Sequence, residues 1–187
     1  WLEQSDELGE LGHCLGASPY LEIGAISQLN VKNLDHKAIL FDEIIGHQKG
    51  YRVLTCSTSS KRRLASILRL PIPDSHQDLV QSLRDKPSYW QSIANEFSPI
   101  QVAEGAILQN VMAGTSVDLT KFPAVLWNQN DGGKYIGTGC SVVTRDLESS
   151  WINVGTYRVM LHDKNRVGLM IIPGKHGDMH HAKYIEA

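Results

Sequence analysis

Between Ile136 and Ile172 the chain carries three strand-like runs in succession, separated by short polar connections. The first, Ile136-Gly-Thr-Gly-Cys-Ser-Val-Val-Thr144, opens on two glycines and closes on β-branched residues. The second is Trp151 to Leu161 and the third is Val167 to Ile172. Asp146 to Ser150 has the length and polarity of a hairpin connection. Strands joined this closely pair antiparallel, and such a series reads as the start of a barrel. Gly137 and Gly139 mark either a close backbone approach, as to a flat cofactor lying on the strand, or a barrel corner.

Upstream of about residue 100, helix and strand signals alternate, as in a small α/β or α+β layer. Helices are expected over 1–9, over Pro19 to Leu29, over Lys61 to Leu70 behind Ser57-Thr-Ser-Ser60, and over His76 to Asp85 behind Asp74 or Ser75. Strands are expected over Glu10 to Leu15, Ala38 to Phe41, Tyr51 to Cys56 and Ala106 to Met112, and residues 86–100 read as irregular. Lys61-Arg-Arg63 reads as a solvated face, because a helix N-terminus does not favour cations. The fold class is therefore α+β: an N-terminal α/β domain over 1–112, then an incomplete barrel over 113–187. Trp1 and the helical run at the end read as the margins of a piece of a longer protein.

The net charge of −2 leaves no basic footprint for nucleic acid. No apolar run approaches the roughly 20 residues of a spanning helix, and no signal peptide is visible. Cys14, Cys56 and Cys140 form no ligand or disulfide spacing, which points to a reducing compartment, with the cytoplasm as the default.

Three residues in the strand region offer distinct chemistry. Asn153 presents a neutral oxygen donor, His176 in Pro173-Gly-Lys-His176 an imidazole nitrogen, and Arg158 a permanent cationic fork for a carboxylate or phosphate. An Asn and His pair beside an oxyanion suits Mn²⁺ or Mg²⁺ better than structural zinc. Taken by spacing alone, each also has an ordinary reading: a satisfied strand amide, a surface arginine and a turn. His162 reads as a loop residue, adjacent His180 and His181 would point about 100° apart on a helix and chelate poorly, and none of the other histidines is assigned to a metal.

A longer series appears in order: Asp118-Leu-Thr-Lys-Phe-Pro123, Trp127, Asp131-Gly-Gly-Lys-Tyr-Ile-Gly-Thr-Gly139, Val143-Thr-Arg-Asp146, Trp151-Ile-Asn-Val-Gly-Thr-Tyr-Arg158 and Pro173-Gly-Lys-His176. It closely resembles the UbiD family of reversible decarboxylases, which use prenylated FMN. The resemblance is specific over 116–187 and looser before it. It implies a split β-barrel of the flavin-reductase type that this chain begins. It implies that Asn153 and His176 ligate a divalent metal, Mn²⁺ or Mg²⁺ with K⁺ as a further ion, which also binds the cofactor phosphate. Thr138, Thr156, Tyr157 and Lys175 would line the cofactor, and Arg158 would meet the substrate carboxylate.

The third metal ligand and the acidic catalytic residues would lie beyond residue 187, so this stretch alone would not turn over. The implied reaction is reversible, non-oxidative decarboxylation of an aromatic or α,β-unsaturated acid, in a homo-oligomer that includes a downstream domain. A flavin-binding module or subunit without decarboxylase activity is the competing reading. One geometric expectation follows. Asn153 and Arg158 lie five apart and point to opposite faces of a regular strand. Serving one cofactor would require a bulge or an end of pairing at Gly155–Tyr157.

Overall fold

The computed structural model describes residues 1–98 and 100–187. The elements run α1 (Leu2–Glu7), β1 (Leu11–Leu15), α2 (Glu22–Asn30), β2 (Ala38–Asp42), β3 (Val53–Thr55), α3 (Lys61–Ile67), α4 (His76–Leu83), α5 (Lys86–Ser92), β4 (Lys134–Arg145), β5 (Ile152–Leu161), β6 (Val167–Leu169) and α6 (His176–Glu186). Among the described residues, short 3₁₀ turns at Ala94–Phe97, Ala106–Leu108, Gly114–Ser116 and Leu119–Lys121 punctuate the otherwise irregular stretch between α5 and β4. The fold is α+β with two three-stranded sheets, ordered β1-β2-β3 and β4-β5-β6. Contacts group the chain into two compact units. One holds 1–14, 27–41 and 53–116; the other holds 15–26, 42–52 and 117–187.

The first unit is built around β2, the central strand of its sheet, and the continuous apolar run predicts that place. Ala38 and Leu40 pack with Leu11 in a small core that Leu2 partly covers. β2 and β3 are antiparallel, pairing Ile39 with Thr55 and Phe41 with Val53. The starts of α3 and α4 follow the capping rules. The Ser60 hydroxyl accepts from the Arg63 N–H, and Ser75 with Asp78 closes a reciprocal capping box at α4.

Three expectations need correction here. The first is the reading of Lys61-Arg-Arg63 as a solvated face, because the Arg63 side chain is fully buried. Its guanidinium pairs with Glu10 at 2.7 Å and donates to the His36 and Cys56 carbonyls and the Ser59 hydroxyl. The second is residues 86–100, which contain α5 rather than only irregular chain. Pro87 sits in the first turn, where a missing N–H loses no helical bond. The third is the strand over Ala106–Met112, which is absent. A 3₁₀ turn covers Ala106–Leu108, and Ile107 and Val111 stay exposed. An apolar run becomes a strand only where another strand meets its backbone.

In the second unit, β4 and β5 form a long antiparallel hairpin and β6 pairs antiparallel with β5. Asp146 accepts its first side-chain bond in the connection from the Ser149 hydroxyl, and its N–H donates to the Trp151 carbonyl. The Leu126 N–H donates to the Pro19 carbonyl, the Leu21 N–H to the Leu126 carbonyl, and Val125 exchanges both bonds with Tyr135. Gly24 lies against the Trp127 backbone so closely that a Cβ there would collide with it. That approach is why a glycine interrupts the apolar pattern of α2. Among the described residues the β4-β5-β6 sheet is open, with β4 and β6 at its edges.

The bulge expected at Gly155–Tyr157 is also corrected. Pairing is unbroken there, with Gly155 opposite Val142, Thr156 opposite Ser141 and Tyr157 opposite Cys140. The irregularities lie on the partner strand, between Tyr135 and Gly137 and between Gly137 and Cys140. Gly155 has another function: the ring of Tyr157 folds back over it, where a Cβ would collide.

Candidate functional site

Asn153, Gly155 and Tyr157 share one face of β5, as alternate residues must. The start of α6 lies over that face. The Gly177 N–H donates to the Tyr157 hydroxyl at 3.1 Å, and a Cβ on Gly177 would strike that hydroxyl. Glycines at 155 and 177 thus let the tyrosine ring lie between strand and helix. The Trp151 ring, near the hairpin end of β5, makes edge contacts with His176 at 4.9 Å and His180 at 4.4 Å between centroids. The two histidines are four apart on α6 and so share a helix face.

Beneath the first turn of α6 is a cleft of about 500 Å³. Asn153, Thr156, Tyr157, Lys175 and His176 line it, with Gly155, Met170, Ile172 and Gly174. Five of the seven residues singled out in the sequence therefore meet at one cavity. The positive end of the α6 dipole and the Lys175 ammonium face the same region, a setting that suits an anion. Asp178, in the same first turn, turns its carboxylate back to accept from the Gly174 N–H.

Arg158 and Thr138 are placed elsewhere. Arg158 is exposed and lines a neighbouring pocket of about 180 Å³ with Tyr135, Met160, Gly168, Leu169 and Met170. Met170 is common to both pockets. Arg158 falls between the Tyr157–Cys140 and Val159–Gly137 pairs, so it stands across from the bulge that carries Thr138 and Gly139.

Two residues of this region were not singled out as site residues from the sequence. Thr144 lies directly opposite Asn153, and its Oγ1 accepts from Asn153 Nδ2 at 3.2 Å. His180 is 1 % exposed, with Nδ1 3.0 Å from the same Oγ1. The strand register that joins Thr144 to Asn153 is not written in either residue. The four-residue spacing of His176 and His180 was the only available hint.

Farther along α6, Lys183 reaches Asp146 at 2.8 Å and Glu148 at 2.9 Å. The hydrogen bond from Lys183, then that from Ser149, holds the Asp146 carboxyl down at about 2. Asp146 and then Glu148 raise the Lys183 ammonium in return. Among the described residues, no group of three or more His, Cys, Asp or Glu could hold a metal ion by itself.

Comparison with known proteins identifies the family. Residues 2–83 match the 3-octaprenyl-4-hydroxybenzoate carboxy-lyase N-terminal domain, and residues 99–187 match the Rift-related domain of the same enzyme class. The chain is 33% identical over 163 residues to a pyrrole-2-carboxylic acid decarboxylase of Pseudomonas aeruginosa, covering 83% of this chain and 32% of the relative. It is 28% identical over 160 residues to a gallate decarboxylase of Lactiplantibacillus plantarum, covering 83% and 30%.

Among solved structures, the vanillic acid decarboxylase of Sedimentibacter hydroxybenzoicus superposes with a TM-score of 0.76 at 25% identity, over 99% of this chain and 37% of that one. The UbiD-class enzyme HmfF from Pelotomaculum thermopropionicum, in complex with FMN, shares the fold with a TM-score of 0.71 at 21% identity, over 92% and 36%. The chain thus spans about a third of the length of these relatives. On both matched domains and on these relatives, the chain belongs to the UbiD family of carboxy-lyases.

Proposed function

We propose that this chain supplies the metal and cofactor cradle of a prenylated-FMN-dependent carboxy-lyase, within a split β-barrel to which β4, β5 and β6 contribute. The reaction is reversible, non-oxidative decarboxylation of an aromatic or α,β-unsaturated carboxylic acid. The observation that carries this reading is the meeting of Asn153, His176, Lys175 and the start of α6 at one cleft. The relatives named above are decarboxylases of pyrrole-2-carboxylic, gallic and vanillic acids, all aromatic, which supports the substrate class.

The donor set fits a hard divalent ion beside a phosphate. The Asn153 amide commits its N–H to Thr144, which leaves Oδ1 free to turn toward the cleft. Among the described residues no hydrogen bond occupies the His176 ring nitrogens. Both donors are neutral, so the ion's charge stays available to a phosphate dianion. Asn153 and His176 would hold Mn²⁺ or Mg²⁺, while Lys175 and the α6 N-terminus would meet the phosphate. Thr156 and Tyr157, with Thr138 on the neighbouring bulge, would flank the flavin. When bound, the prenylated flavin supplies a sink for the electron pair left as CO₂ departs. Arg158 would orient the substrate carboxylate by a two-pronged ion pair.

The test is made on the complete protein, produced with a source of prenylated FMN. His176→Ala should lower metal content and cofactor retention together, because the ion joins them. Wild-type levels of both in the variant would refute the ligand assignment. The seat of Arg158 outside the main cleft favours a second reading, a flavin-holding module without decarboxylase activity. Turnover of an aromatic or α,β-unsaturated acid by the complete, cofactor-loaded protein separates the two, since the module reading expects none. Arg158→Ala then tests the arginine: turnover should vanish with the cofactor still bound, and unchanged turnover removes Arg158 from the reaction.

A further inference from the structure

Asn153 can serve a cation only with its amide turned one way, Oδ1 toward the cleft and Nδ2 away from it. A primary amide turns over readily unless hydrogen bonds fix it, since its two ends have nearly the same shape. Three observations bear on what fixes it. Asn153 Nδ2 lies 3.2 Å from Thr144 Oγ1. The same oxygen lies 3.0 Å from His180 Nδ1. The His180 ring is 1 % exposed and packs edge-on to Trp151, and its Nε2 has no partner among the described residues.

We propose that Thr144 and His180 are positioning residues that lock the Asn153 amide in its metal-facing orientation. The Thr144 hydroxyl has one hydrogen. In this relay the imidazole proton is assigned to Nε2, so that the hydroxyl hydrogen is donated to His180 Nδ1 and the hydroxyl oxygen accepts from Asn153 Nδ2–H. The chain of bonds then has a single direction, from the amide to the hydroxyl to the imidazole. Turning the amide over would set Oδ1 against a hydroxyl oxygen whose hydrogen is already committed, and two acceptors would face each other. His180 therefore acts on the cleft without touching it.

The inference rests on the reading of Asn153 as a metal ligand, and its test separates the two. The first measurement uses the full chain without metal. In ¹⁵N NMR, the two Asn153 side-chain amide protons should give distinct, slowly exchanging resonances in the wild type. Thr144→Val keeps the shape and removes the hydroxyl, while His180→Phe keeps the ring against Trp151 and removes Nδ1. Both should collapse that protection. Thr144→Ser should restore it, as should His180→Asn, whose side-chain oxygen takes the place of Nδ1.

The second measurement is Mn²⁺ titration with FMN present, followed by electron paramagnetic resonance of the free ion. Thr144→Val and His180→Phe should weaken Mn²⁺ binding about tenfold, the scale of a lost outer-shell partner. If His180→Phe fails to fold, Thr144→Val carries both measurements. An amide equally protected in every folded variant overturns the relay, whatever the metal does. Loss of protection with Mn²⁺ binding unaffected in Asn153→Ala leaves the lock standing and removes the ligand assignment beneath it.

Discussion

Arg63 is a cation held wholly inside the first unit, and its neighbours leave it little freedom. Glu10 supplies the countercharge, and two carbonyls and a hydroxyl take most of its remaining hydrogens. Glu10 in turn also meets Arg62 at 3.4 Å and the Ser60 hydroxyl at 3.1 Å. Removing one partner of such a pair strands the other charge in a dry site, which typically costs about 3–5 kcal/mol. Arg63→Ala should therefore lower the unfolding free energy by about 3–5 kcal/mol in urea titration. A change below about 1 kcal/mol, the range of exposed pairs, would mean that the site is solvated. None of this was legible beforehand. Three consecutive basic residues at a helix start look like a wet surface, and the groups that receive Arg63 are scattered from Glu10 to Ser59. Asn153 and His176 were singled out by the ordered family motifs that carry them, since by spacing alone each has an ordinary reading, and the structure brings both to one cleft. His180 was not, because its role depends on which residue the strand register sets opposite Asn153.

The hairpin and its covering helix show which elements a sequence specifies well. β4 and β5 were foreseeable because β-branched runs flank a short polar turn, and capped helices such as α4 announce themselves by residue type. The register shifts in β4 were not, since Gly137 and Gly139 permit a bulge without choosing between the strands. What keeps α6 over the hairpin end is partly the ion pair of Lys183 with Asp146. This gives a pH prediction with a defined sign. The Asp146 carboxyl is lowered to about 2 by Lys183 and Ser149. An unfolded aspartate titrates near 3.9. A depressed carboxyl contributes stability that is complete above the unfolded value and is lost as pH falls through the folded one. Lys183→Met should thus lower the thermal midpoint at pH 6. The gap to wild type should narrow between about pH 4 and pH 2. A gap that stays constant down to pH 2 would assign the effect to lost side-chain packing rather than to the pair.

At the scale of the whole molecule, the chain enters the second unit three times, at 15–26, 42–52 and 117–187. Composition shifts once along the sequence, and a pattern read residue by residue shows where strand signals begin. It does not show that earlier segments return to meet them. Those segments make specific contacts. Leu126 bonds to Pro19 and Leu21, Gly24 lies against the Trp127 backbone, His47 approaches the Lys121 carbonyl at 3.2 Å, and Tyr51 makes an edge contact with Phe122.

Ala124 and Val125, both buried, are fixed between these partners on one side and Tyr135 on the other. A fragment of residues 117–187 would keep the β4-β5 ladder and α6 but lose every partner from 15–26 and 42–52. Buried backbone without its partners either finds water or loses its conformation. Amide exchange should therefore show Leu126, bonded to Pro19, exchanging at nearly the unfolded rate in the fragment and protected in the whole chain. The amides of Val142 and Gly155, a pair of the same hydrogen-bonded parity as Asp146 and Trp151, should stay protected in both if the hairpin and helix hold together. Adding a peptide of residues 15–52 in trans should restore protection at Leu126 first. Protection at Leu126 in the isolated fragment would show that segment 122–127 is held by β4 alone, through the Val125 and Tyr135 bonds.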